Sequence, residues 1–139
     1  MIRRFPLPAV APFTFRLDLA SGVPVYRQII DQVLVAIASG ALKGGDQLPT
    51  VRQVAVDLSI NPNTVLRAYR ELEIRGILTT QQGTGTFVTP QKVKPDEAER
   101  QRRLSFLAGE FAARAAREGF ELQDLIDRLA ELIPEVNRR

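Results

Sequence analysis

At 139 residues, 45% hydrophobic and 25% charged, the chain has the composition of a globular protein, long enough for one ordinary domain or a small domain with an appendage. The absence of cysteine and histidine excludes disulfides, Cys/His zinc sites, thiol nucleophiles and imidazole-based catalytic dyads and triads, and no cofactor or metal is expected. The net charge of +3 conceals an asymmetry: residues 1–103 carry fourteen Lys/Arg against nine Asp/Glu and residues 104–139 five against seven, which suits a polyanion-binding body joined to a tail with another task.

The first zone, residues 1–22, is an N-terminal extension. Its start, Met1-Ile2-Arg3-Arg4-Phe5-Pro6, lacks the apolar run of a signal peptide, and nowhere does the chain approach the roughly eighteen uninterrupted apolar residues of a membrane span. The expectation is a cytoplasmic protein with no membrane partner. Beyond the Pro-rich opening, Phe13, Phe15, Leu17 and Leu19 alternate with polar residues, which predicts a strand closed by a Ser21-Gly22 turn.

The second zone, residues 23–89, begins with Pro24 at a helix start. Val25, Ile29, Val33 and Ile37 recur at four-residue steps, flanked by Ile30, Leu34 and Ala38, until Ser39-Gly40 stops the run. A connector turning at Gly44-Gly45 leads to Leu48-Pro49-Thr50. Thr50 as N-cap with Gln53 three residues on predicts a short helix from Val51 to Leu58, burying Val51, Val54, Ala55 and Leu58. Only Ser59 and Ile60 intervene before Asn61, a second N-cap, and Pro62, which suits the first helical position. The third helix runs to about Arg75, burying Val65, Ala68, Tyr69, Leu72 and Ile74, with Gly76 as its stop. Two short helices joined so tightly form a helix-turn-helix, and strands over Ile77–Thr80 and Thr86–Val88 around Gln81–Gly85 supply a hairpin wing.

Residues 90–103 are Pro-bounded and charge-rich, a linker running into a helix. In residues 104–139, Leu104, Leu107, Ala108, Phe111, Ala112 and Ala115 keep helical spacing, Gly119 breaks it, and Leu122, Leu125, Ile126, Leu129, Leu132 and Ile133 restart it. Two helices with one apolar stripe each and no sheet to cover them cannot build a core alone. Leu104, Leu107, Phe111, Leu125, Ile126 and Leu129 are therefore expected to pair with a second copy. The expected fold is mainly α with a small β-hairpin: a winged helix-turn-helix followed by a two-helix dimerisation tail.

With the apolar side of the third helix turned inward, Asn63, Thr64, Arg67 and Arg70 face outward on an element whose width suits the DNA major groove. Asn63 and Thr64 can donate and accept at bases or phosphates, and Arg67 can take a guanine edge or grip a phosphate. Arg52 opens the preceding helix, where free N–H groups already attract phosphate. In the hairpin, Gly83 and Gly85 allow close backbone approach, while Gln82, Thr84 and Thr86 offer short polar groups. Each feature also has a plainer reading. Thr50 and Asn61 are helix caps whatever the function, the glycines can be turn residues, Tyr69 is a core residue rather than a stacking platform, and Arg67 and Arg70 can be solvated beside Glu71 and Glu73.

Jointly, these residues resemble the GntR family of bacterial regulators: Pro24-x-Tyr26-x-Gln28-Ile29, Gly40-x-Leu42, Leu48-Pro49-Thr50-x-Arg52, Asn63-Thr64-Val65, Leu72-x-x-x-Gly76 and Gly83-x-Gly85-Thr86-Phe87-Val88. Asn61-Pro62-Asn63-Thr64-Val65 with Arg67-Ala68-Tyr69 and Glu71-Leu72-Glu73 is similar to the short YtrA subfamily, whose tail is a pair of dimerising helices. The resemblance implies double-stranded DNA as partner, with contacts at Arg52, Asn61, Asn63, Thr64 and Gly83, and a homodimeric repressor as the working form. Many members carry arginine where this chain has Pro62, so their base preference does not transfer. About fifty residues follow the wing, too few for the ligand-binding domains of larger relatives, and no small-molecule effector is assigned. The alternative is a winged-helix module that binds protein or RNA, for which an apolar or acidic third-helix face would be the sign. An enzyme ranks behind both, because Asp124 and Asp127 have the spacing of an ordinary solvated face.

Overall fold

The computed structural model describes residues 13–90 and 96–134. The Pro-rich opening and the first half of the linker lie outside them. Five helices and one hairpin follow one another as α1 (Val25–Ser39), α2 (Val51–Leu58), α3 (Pro62–Ile74), β1 (Leu78–Gln81), β2 (Gly85–Val88), α4 (Glu97–Arg117) and α5 (Leu122–Ala130).

Local chemistry sets the boundaries of the first three helices. Gly40, left-handed at φ 86°, ends α1 and lets Leu42 turn back into the core. The Thr50 hydroxyl accepts from the Gln53 amide at 3.0 Å to start α2. Ser59 closes α2 at φ 55°, alone among the described non-glycine residues in having positive φ, and the Ile60 amide donates to the Ala55 carbonyl at 3.0 Å. Two residues later the Asn61 side chain accepts from the Asn63 amide at 2.8 Å, with Pro62 in the first turn of α3.

The core gathers around α3, which packs on α1, α2 and β1. Val65, Ala68 and Leu72 are wholly buried, as are Ile29 and Val33 opposite them. Tyr69 is buried too, and its hydroxyl donates to the Pro49 carbonyl at 2.7 Å, tying α3 to the residue before the α2 cap. Burial pushes the phenol well above its ordinary value, because the ionised form would lose its water. Leu78 and Val88 anchor the hairpin, whose antiparallel register pairs Leu78 with Val88 and Gln81 with Gly85.

Four expectations are corrected. Residues Phe13–Leu19 form no strand; residues 13–18 run as a strap along α1 without joining the two-stranded sheet, and Leu19 enters a turn. Side-chain amides of α1 take the place of a partner strand: Gln32 receives from the Arg16 N–H at 2.9 Å and donates to its carbonyl at 2.6 Å, and Gln28 does the same for Asp18 at 2.9 and 3.0 Å. The match is geometric, since four residues of helix rise about 6.0 Å and two extended residues about 6.6 Å. Ala36 rather than Ala38 completes the buried face of α1. Ile74 is 81% exposed, because α3 ends there and the chain turns toward the wing. Finally, α5 stops at Ala130, so Leu132 and Ile133 follow it in a turn.

The connector contributes an edge the sequence did not reveal. The Leu48 amide donates to the Thr86 carbonyl and the Val88 amide to the Asp46 carbonyl, both at 2.8 Å, with Gln47 bridged to Phe87. The wing is thereby laced to the body along β2.

In α4 and α5 no residue is buried. They pack on each other and on no other helix or strand. Glu99 holds Arg102 and Arg103 along α4, and Asp96 caps the helix by accepting from the Glu99 amide at 3.0 Å. Leu104, Leu107, Phe111, Ile126 and Leu129 are exposed and Leu125 half-buried, with Phe106, Phe120 and Leu122 exposed beside them.

Candidate nucleic-acid interface

Burial of Val65, Ala68, Tyr69 and Leu72 turns the opposite side of α3 outward. Asn61, Asn63, Arg67 and Arg70 are exposed there and Thr64 is half-buried. Asn61, Asn63, Thr64 and Arg67 share one open depression, whose remaining wall is Val25 and Tyr26 from the first turn of α1. Arg52, in the first turn of α2, and Arg70, one turn beyond Arg67, lie outside it, as does the wing tip.

The cations differ in their surroundings. Glu71, which helical spacing alone would set beside Arg67, pairs instead with Arg75 at 3.0 Å. Arg67 lies over the Tyr26 ring, its Cζ 3.7 Å from the centroid, and Arg27 approaches the same ring at 5.9 Å. Among the described residues neither Arg52, Arg67 nor Arg70 has a carboxylate partner. Their charge is left to solvent or to an external anion.

At the wing tip Gln82, Gly83 and Thr84 are exposed, and the Thr84 amide closes the turn on the Gln81 carbonyl at 2.9 Å. Gly83 is left-handed at φ 77° with open space around it, so its need for glycine is conformational. Gly85 differs. Its φ of 136° is also in the region that favours glycine, but a Cβ there would in addition stand 2.5 Å from the side-chain end of Gln47, whose Nε2 donates to the Thr84 carbonyl at 3.0 Å.

Sequence reasoning missed two members of this surface, Tyr26 and Gln47. Each reaches it across a long stretch of chain, and no local spacing announces either contact.

A helix-turn-helix whose second helix turns a polar, cationic side outward, followed at once by a β-hairpin, defines a winged helix-turn-helix DNA-binding domain. Residues 25–88 match the model of the bacterial regulatory proteins, gntR family. The chain belongs to the GntR family. It is 45% identical over 74 residues to the HTH-type transcriptional repressor YtrA of Bacillus subtilis, a match covering 53% of this chain and 57% of that protein. It is likewise 45% identical over 74 residues to the HTH-type transcriptional regulator Rv1152 of Mycobacterium tuberculosis, covering 53% of this chain and 61% of the relative. These matches thus span less than two thirds of the relatives' lengths. The solved structure of YtrA from Sulfolobus acidocaldarius, a GntR-family transcription factor, superposes with a TM-score of 0.56 at 32% identity over 84% of this chain and 97% of that one. A match of that extent reaches past the wing into the tail.

Proposed function

We propose that the protein is a sequence-specific transcriptional repressor that binds double-stranded DNA as a homodimer over an inverted repeat. The observation that carries the reading is the two-sidedness of α3: every apolar side chain of its buried face is in the core, while Asn63, Arg67 and Arg70 are exposed and without carboxylate partners among the described residues. An apolar or acidic outer face would have favoured a protein partner, and this face is neither.

In this reading Asn63, Thr64 and Arg67 meet base edges, Arg52 and Arg70 meet phosphates, and Gln82, Gly83, Thr84 and Gly85 bring the wing to the flanking backbone. Asn61 works chiefly as the cap that points the helix. Residues 23–89 form the DNA-binding unit, residues 1–22 an extension, 90–103 the linker and 104–139 the dimerisation tail, where Leu104, Leu107, Phe111, Leu125, Ile126 and Leu129 meet their counterparts. Repression is supported by the name of the Bacillus subtilis relative. No catalytic role and no cofactor enter the reading.

The test starts from duplexes enriched from a random pool by the full chain. Arg52→Ala should weaken all duplexes about equally and lower the salt slope by roughly one, whereas Asn63→Ala or Arg67→Ala should cost about 1–3 kcal/mol on the enriched site and relax its specificity. If Arg52→Ala and Arg67→Ala both left affinity unchanged in a gel-shift titration, the assigned face would be wrong.

A further inference from the structure

On the outer face of α3, Arg67 has a defined seat for its guanidinium. Its Cζ stands 3.7 Å from the Tyr26 centroid, in contact with the ring and well inside the range of a cation–π interaction. No carboxylate among the described residues claims the N–H donors of the guanidinium. Glu71, the carboxylate one turn on that would neutralise Arg67, is taken by Arg75. The same depression is lined by Asn61, Asn63 and Thr64, so the seated cation stands beside the first turn of α3.

We propose that Tyr26 is a positioning residue for DNA reading, its ring holding Arg67 ready to recognise one base pair; this rests on the DNA-binding reading of α3 given above. A free arginine loses its rotamer freedom on binding, and the ring contact moves that loss from the binding step to folding. Tyr26 thus acts through Arg67 and sets how sharply one position of the site is discriminated, without itself reading a base.

The experiment uses the full chain and the duplex it enriches from a random pool, with every base pair of that duplex then varied singly. Arg67→Ala identifies the position at which discrimination collapses. Tyr26→Leu keeps an apolar side chain and should lose about fivefold in affinity for the enriched duplex, with discrimination reduced at that same position. Tyr26→Phe keeps the ring and should match the wild type. Combined with Arg67→Ala, Tyr26→Leu should have no further effect. A loss spread evenly over all base pairs, a Tyr26→Phe variant as impaired as Tyr26→Leu, or additive losses in the double variant would each overturn the inference while leaving DNA binding intact. A wild-type chain that enriches no duplex would overturn the DNA-binding reading and this inference with it.

Discussion

Tyr69 shows what a single buried polar atom does here. Its hydroxyl joins α3 to Pro49, just before the Thr50 cap, so one hydrogen bond of 2.7 Å ties α3 to the start of α2. Tyr69→Phe leaves the half-buried Pro49 carbonyl without that donor and should cost about 1–2 kcal/mol in urea unfolding. The pH dependence follows from the raised phenol. Because the folded value lies above the ordinary one of about 10, the unfolded chain releases its proton first. The contribution is therefore complete below about pH 10 and declines as pH climbs beyond it, and the alkaline fall in stability should be shallower in Tyr69→Phe. Residue identity made part of this legible: Thr50 and Asn61 are caps by type and spacing, and both accept the expected amide. The partner of Arg67 was not legible, because helical spacing offers Glu71 while packing supplies Tyr26.

Among the elements, the wing carries a conformational demand at its tip. Gly83 at φ 77° has nothing within 4 Å, so a side chain there fits in space yet strains the backbone. Gly83→Val should distort the tip and impair DNA binding while the helical circular dichroism stays nearly unchanged, since no core residue lies at the tip. A variant that binds normally would reduce Gly83 to a turn residue. The helix-turn-helix was legible because its signals are local: caps, a proline in the first turn, and apolar residues on a 3.6-residue period. The strap over Phe13–Leu19 was not, because alternation describes any extended segment with one side against the body. Whether that segment becomes a strand depends on which element it packs against, and here it lies on α1, where Gln28 and Gln32 supply the hydrogen bonds instead.

In the whole molecule, α4 and α5 touch only each other among the helices and strands and leave Leu104, Leu107, Phe111, Ile126 and Leu129 exposed. A second copy covering them would bring two α3 helices to half-sites about 34 Å apart, one turn of DNA, and make the second encounter intramolecular, raising affinity about a hundredfold or more. Truncation after Thr89 tests this. The remaining body keeps its own core around α3, so the expected product by light scattering is a folded monomer with weak, salt-sensitive DNA binding and little preference for an inverted repeat. A truncated chain that still dimerises and binds like the full one would refute the role assigned to the tail.

The sequence by itself determined the succession of helices, the tight α2–α3 turn, the wing and the outward side of α3, because each follows from chain-local periodicity, capping and glycine placement. Tertiary structure alone decided the seat of Arg67 on Tyr26, the lacing of Asp46–Leu48 to β2, the strap held by two glutamines and the exposure of Ile74. Those contacts join residues distant along the chain, and their geometry exists only once α1, α3 and the hairpin have packed around one core.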